Sequence, residues 1–132
     1  MIFVDSSFWV ALRMARDANH ADAELLLRRH AGSPLVTTTH VRGETWTFLR
    51  RRVGHRGAVH FLDRLLRSDR VEVVRMPEAL EEDALRWLRR HDEREYSFVD
   101  ATSFALMKSL RIREVLAFDG DFTAAGFVEL RP

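Results

Sequence analysis

Apolar residues along this chain fall into two rhythms, short unbroken runs and stretches with a helical repeat. Ile2-Phe3-Val4 is a run closed by Asp5, and residues 2–5 predict a buried strand. Residues 7–16 and 20–30 place apolar side chains at helical spacing, with Asn19 positioned to cap the second helix. Gly32-Ser33-Pro34 breaks the pattern before Leu35-Val36-Thr37, a second short strand. Over residues 39–52, Val41, Thr45, Phe48 and Leu49 form one stripe at i, i+4, i+7 and i+8, which predicts a helix stopped at Gly54. Residues 56–68 carry Ala58, Phe61, Leu62, Leu65 and Leu66 on one face of another helix. Val71-Glu72-Val73-Val74 is rich in β-branched residues and predicts a strand. Pro77 suits the first turn of the following helix, whose apolar face holds Leu80, Ala84, Trp87 and Leu88. Ser97 opens a helix that runs to about Leu110. Residues 115–118 predict a strand, 121–125 a helical turn ending at Gly126, and 127–130 the last strand.

Strands separated by helices need crossover connections. The expected fold class is therefore α/β, a parallel sheet of about five short strands flanked by helices on both faces. No repeat, biased tract or linker-like stretch interrupts residues 1–132, so one domain is expected. Open parallel sheets bind ligands beyond the carboxyl ends of their strands.

Four acids sit where this pattern has no room for charge. Asp5 ends the first apolar run, and Asp119 follows the run Val115-Leu116-Ala117-Phe118. Two parallel strands would deliver both carboxylates to one sheet edge. Glu44 lies three residues after Val41 and four before Phe48, within or beside an apolar stripe. Asp100 falls at the third helical position after Ser97, where a capping box explains it without chemistry. Asp121 is a nearby fifth acid, read as a helix cap with an indirect metal role as the alternative. Capping and ion pairing account for such acids one at a time. Carboxylates crowded near a core are costly unless paired with a cation, and together the four suggest a pocket for a hard divalent ion.

Composition narrows the alternatives. The chain has no cysteine, so thiolate catalysis and a disulfide framework are excluded. No nucleophile elbow and no glycine-rich phosphate loop is present. His20, His30, His40, His55, His60 and His91 show no zinc-like spacing, and His40 alone lies near a candidate acid. Trp9, Trp46 and Trp87 belong to helical patterns and are expected in the core or at an interface. Net charge is only +1, and nearly all basic residues are arginines, with Lys108 the single lysine. The clusters Arg50-Arg51-Arg52 and Arg89-Arg90 suit either a solvated helix face or a phosphate backbone. No long apolar segment or signal sequence is seen, so a cytoplasmic protein with no membrane contact is expected.

The same residues resemble those of PIN-domain ribonucleases of the VapC toxin type. Met1-Ile2-Phe3-Val4-Asp5-Ser6-Ser7 is similar to that family's opening strand and first acid. Thr37-Thr38-Thr39-His40-Val41-Arg42-Gly43-Glu44 resembles the segment bearing the second, and Tyr96-Ser97-Phe98-Val99-Asp100-Ala101-Thr102-Ser103 the third. Leu116-Ala117-Phe118-Asp119-Gly120-Asp121-Phe122 resembles the fourth, departing at Ala117, where the family often has Thr or Ser. The resemblance covers essentially the whole chain. It implies a toxin of a type II toxin–antitoxin system that hydrolyses RNA with Mg²⁺, or Mn²⁺ as a substitute. It also implies a homodimer and a VapB-like antitoxin whose tail covers the acidic pocket. Asp5, Asp100 and Asp119 would hold the metal. Glu44 would orient or deprotonate the attacking water, and Ser6 would contact a metal water or a phosphate oxygen. One or two metals remain open on this reading. An RNA-processing PIN nuclease and a non-catalytic α/β binding module are the competing readings.

Overall fold

The computed structural model describes residues 1–132. The chain runs β1 (Ile2–Val4), α1 (Ser6–Arg13), α2 (His20–Arg29), β2 (Leu35–Thr38), α3 (Thr39–Arg52), α4 (His55–Arg67), β3 (Val71–Val74), α5 (Glu78–Arg90), α6 (Phe98–Ser109), β4 (Glu114–Leu116), α7 (Asp121–Ala124) and β5 (Val128–Glu129). The five strands form one sheet in the order β3-β2-β1-β4-β5, and every pairing is parallel. The expected α/β architecture, with helices covering a parallel sheet, is therefore observed. β1 is the central strand. The chain builds outward from it first through β2 and β3, then returns to its other side with β4 and β5. The order reverses between β1 and β4, and beyond the carboxyl ends of those strands lies the crevice where such sheets take ligands.

Short strands suffice because the central ones are wholly buried. All three residues of β1 and all four of β2 are inaccessible. Thr37 is tolerated there because its Oγ1 donates to the Val4 carbonyl at 2.8 Å, satisfying a buried acceptor. Thr38 then caps α3 by accepting from the Val41 N–H at 3.0 Å.

A chain of aromatic rings holds the elements that carry the acids. Phe104 of α6 meets Trp87, Tyr96 and Phe122 edge-on, with centroids at 5.2, 5.7 and 5.0 Å, and stacks on Phe127 at 5.5 Å. Phe122 of α7 leans on Phe3 of β1 at 6.1 Å. Aromatic contacts of this geometry add to the area they bury. Here they clamp α6 and α7 to the central strand.

Several boundaries differ from the sequence expectation. α1 ends at Arg13 rather than 16, where Met14 adopts an extended conformation. Asn19 stands at the start of α2, but its side chain makes no capping bond. Pro77 precedes α5 as its cap residue rather than lying in the first turn. β4 stops at Leu116 rather than 118, because other partners take the next backbone groups. Arg131 Nη1 donates to the Ala117 carbonyl at 3.0 Å, and the Phe118 N–H donates to Ser7 Oγ at 3.0 Å. β5 is limited to Val128–Glu129. Trp9 is buried, while Trp46 and Trp87 pack partly buried against the core.

Candidate active site

Asp5 is the residue at which β1 turns into α1. Its backbone N–H still bonds to the sheet, donating to the Leu116 carbonyl at 3.1 Å. Its side chain caps α1, with Oδ2 accepting from the Ser7 N–H at 3.2 Å and from Ser7 Oγ at 2.8 Å. Ser7 is thus a bridge: its hydroxyl donates to Asp5 and accepts from Phe118 of the loop beyond β4. The hydroxyl the family pattern often places at Ala117 has no counterpart here, and Ser7 and Arg131 tie down this loop instead. Asp5 is 1% exposed, and its Oδ1 is buried without any hydrogen-bond donor.

Asp100 forms the anticipated capping box in full. Its N–H donates to Ser97 Oγ at 2.9 Å, and its Oδ2 accepts from the Ser97 N–H at 3.0 Å. Capping and a place in the site are compatible, since Asp100 is buried and the box engages only one of its oxygens. Asp119 lies in the loop after β4, and its Oδ1 accepts from the Asp121 N–H at 3.1 Å. Asp121 is the first residue of α7, and Gly120 rather than Asp121 occupies the cap position. Asp100, Asp119 and Asp121 each offer a carboxylate oxygen, and these oxygens lie within 4.8 Å of one another.

Glu44 is half-buried on α3 and receives a 2.5 Å hydrogen bond from Ser6 Oγ. It forms no ion pair with an arginine, so the internal salt bridge that would explain it away is not present. Glu44, Ser6 and Asp119 border a common cleft of about 380 Å³ that also includes Phe48 and Phe118. The structure therefore gathers Asp100, Asp119 and Asp121 into one cluster, with Asp5 buried close enough to feel the Asp119 and Asp100 charges, and sets Glu44 and Ser6 on a cleft that Asp119 also borders; Asp5 and Glu44 lie outside the three-acid cluster itself. His40 is engaged elsewhere, with Nε2 at 2.7 Å from Glu81 on α5. His55 and His60 are exposed.

The electrostatics are those of a site short of positive charge. Burial raises the Asp5 carboxyl to about 8, and the neighbouring Asp119 and Asp100 charges push the same way against the Ser7 hydrogen bonds. Burial likewise raises Asp100 to about 6, with help from Asp121 and Asp119. Asp119 is raised by desolvation and by Asp121 and Glu129. A hydrogen bond from the Asp121 N–H opposes that rise. The Asp5 and Asp119 charges repel one another, so the two carboxyls titrate as a pair. Convergent carboxylate oxygens, raised proton affinities and a buried oxygen with no donor together fit a hard divalent cation.

Two contributors have no periodic signal in the sequence. Ser7 carried only the expectation of a helix-start residue. Ser7→Ala should lower stability by about 1–3 kcal/mol, since it leaves the buried Asp5 and the Phe118 N–H each short of a partner. Urea denaturation monitored by tryptophan fluorescence checks this, and an unchanged midpoint would contradict it. Arg94, in the loop between α5 and α6, donates from Nε to Asp121 Oδ1 at 2.6 Å and from Nη2 to the Asp119 carbonyl at 3.1 Å. In a chain rich in arginine, nothing local distinguishes it from the others.

Comparison with known proteins identifies the family and the fold. A protein-family model described as "PIN domain" matches residues 2–128. The 23S rRNA-specific endonuclease VapC20 of Mycobacterium tuberculosis, from strains H37Rv and CDC 1551, is 57% identical over 134 aligned positions. Those positions cover 100% of this chain and 99% of the relative. The crystal structure of Mycobacterium tuberculosis VapC20, titled a Sarcin-Ricin loop cleaving toxin, superposes with a TM-score of 0.94 at 55% identity, covering 100% of both chains.

Proposed function

We propose a function from one premise: the chain belongs to the PIN-domain family. It is an endoribonuclease, the toxin of a type II toxin–antitoxin pair, formed by a single PIN domain over residues 1–132. The observation that carries this reading is the convergence of carboxylate oxygens from Asp100, Asp119 and Asp121 within 4.8 Å, beside a buried Asp5 whose Oδ1 has no donor, at the point where the strand order reverses. Identity of 57% with an rRNA-specific endonuclease supports RNA as the substrate, and a ribosomal RNA loop is the first to try.

Asp5, Asp100 and Asp119 would hold a divalent cation, Mg²⁺ with Mn²⁺ as a substitute, and Asp121 would support it directly or through water. When bound, such an ion acidifies a water and neutralises charge on the scissile phosphate. Glu44, oriented by Ser6, accepts a proton from the attacking water as the water's oxygen bonds to phosphorus; the bridging P–O bond breaks, and the leaving ribose oxygen takes up a proton from solvent. Ser6, once released from Glu44, is placed to contact a phosphate oxygen. The half-buried Phe118 and the exposed Phe48 line the cleft beside Asp119, where an unpaired base can stack.

The protein works in the cytoplasm as a homodimer restrained by a VapB-like antitoxin. Leu66 is 86% exposed on α4, beside a cleft lined by Leu62, Leu65, Val71 and Val73, and apolar surface of this kind suits a protein partner. No helix is long and apolar enough to cross a membrane.

The test uses the purified chain with an rRNA hairpin, a DNA hairpin of matching sequence and a small phosphodiester, each with Mg²⁺, Mn²⁺ or EDTA. Cleavage of the RNA alone, dependent on the divalent ion, is the expected result. Equal cleavage of DNA, or activity that persists in EDTA, would overturn it.

A further inference from the structure

The site gathers acids, two of them buried, where a polyanionic substrate must approach. A divalent cation offsets part of that charge. A phosphodiester that gains negative charge as it reacts also needs a donor on the protein. One cationic side chain is bonded directly to the acid cluster, and it is Arg94.

Arg94 belongs to the loop after α5, yet it is fastened to residues 25 and 27 positions away, through the Asp119 carbonyl and the Asp121 carboxylate. These two bonds use Nε and Nη2. No hydrogen bond in the structure uses Nη1, and the side chain is 42% exposed. The backbone opposite is shaped to admit it. Gly120 has φ +81, and a Cβ there would lie 3.2 Å from Arg94 Nη2. Any L side chain at 120 would be strained and would crowd the guanidinium. Of the other arginine clusters, Arg50 to Arg52 end α3, with Arg52 over the Phe48 ring, and Arg89 and Arg90 end α5; none of them bonds to the acids.

A guanidinium is planar and presents several N–H groups in a fork that matches phosphate oxygens. Pinned along one edge by Asp121 and the Asp119 carbonyl, its other edge is preorganised. We propose that Arg94 is a catalytic residue. It donates from its free Nη1 edge to a non-bridging oxygen of the scissile RNA phosphate, while Asp121 and Asp119 hold it in place. This role rests on the ribonuclease reading given above.

Three readouts on the intact protein separate this from a surface ion pair. With a fluorescent hairpin RNA, Arg94→Ala should reduce kcat by about 10²- to 10³-fold, the scale for removing one donor to a developing oxyanion. In EDTA, where no turnover occurs, the dependence of RNA affinity on salt should flatten by about 0.7 in log–log slope, the value for one lost phosphate contact on single-stranded RNA. Calorimetric Mn²⁺ affinity should be unchanged or higher, since the proposed contact is made to RNA and removing the guanidinium takes a positive charge away from Asp121. Arg94→Lys should recover part of the affinity and little of kcat, because an ammonium keeps the charge but not the fork. An Arg94→Ala protein with weakened Mn²⁺ binding and an unchanged salt slope would show that Arg94 only braces Asp121, and the proposal would fall. If wild type itself bound and cut no RNA, the ribonuclease reading would fall first, and this role with it.

Discussion

Asp100→Asn is expected to eliminate RNA cleavage while the protein stays folded. Asparagine keeps the shape of the side chain and an oxygen that can accept from the Ser97 N–H, so the capping box and the start of α6 survive. What disappears is one negative charge from a pocket whose oxygens converge within 4.8 Å. Hard cations favour carboxylate over amide ligands, and losing the charge weakens their hold. A fall of at least about 10³-fold in initial rate is expected, as for removal of a group that acts directly on reacting charge. The melting temperature of the metal-free protein should be unchanged or higher, because burial works against the Asp100 charge. Initial rates in Mn²⁺ on the same samples used for thermal melts would check both. Near-wild-type activity would remove Asp100 from the site, and a collapsed melting curve would mean that the capping box was its main duty.

The second large effect concerns pH. Asp5 has its folded-state value raised to about 8 and Asp100 to about 6, and Asp119 is raised as well, all from an ordinary 3.8. A raised carboxyl means that the folded protein holds protons the unfolded chain has released. Stability from these groups is therefore complete below about pH 4 and is lost as pH rises through the folded values. Glu129 runs the other way, since hydrogen bonds and the Arg131 partner hold it below its ordinary range.

In EDTA, the melting temperature should fall steadily between about pH 5 and 8, with Asp5 contributing on the order of a few kcal/mol of the loss. Asp119 is solvent-exposed and adds less, because water screens its interactions. In the proposed metal site Mn²⁺ would bind the deprotonated acids, so its stabilising effect should grow over the same interval and reverse the slope. Asp5→Asn should flatten the metal-free slope and raise the melting temperature near pH 8. Thermal melts at several pH values, with and without Mn²⁺, decide the matter. A flat or rising curve in EDTA would show that Asp5 is not a strained, protonated acid.

Most of the fold was legible from periodicity. Three buried residues in Ile2-Phe3-Val4, the i, i+4, i+7 stripe of α3 and the β-branched run at Val71 each carry a local signature, and each formed the expected element. The misjudged ends lie where side chains distant in sequence compete for backbone groups. Ser7 and Arg131 draw residues 117–118 out of β4, and no pattern within 115–118 could announce this. The candidate acids divide in the same way. Asp5 and Asp119 were visible as charges closing apolar runs, and Glu44 as a charge on an apolar stripe. Asp100 looked like a cap, and it is one. Asp121 looked like a cap, yet Gly120 holds that position and the Asp121 carboxylate faces Asp100 and Asp119.

The sequence by itself determined that the chain folds as alternating strands and helices and that acids close the apolar runs of its central strands. Those properties follow from local spacing, and spacing is written along the chain. Only the tertiary structure decided that β1 and β4 are neighbours, that Asp5 is sealed with an unpartnered oxygen, and that Arg94 closes on Asp121 across 27 residues. Distances between side chains on separate elements depend on sheet order and core packing. The same packing that joins Phe104 to Phe122 and Phe3 brings α6 and α7 against the central strand, and so sets how closely the acids meet.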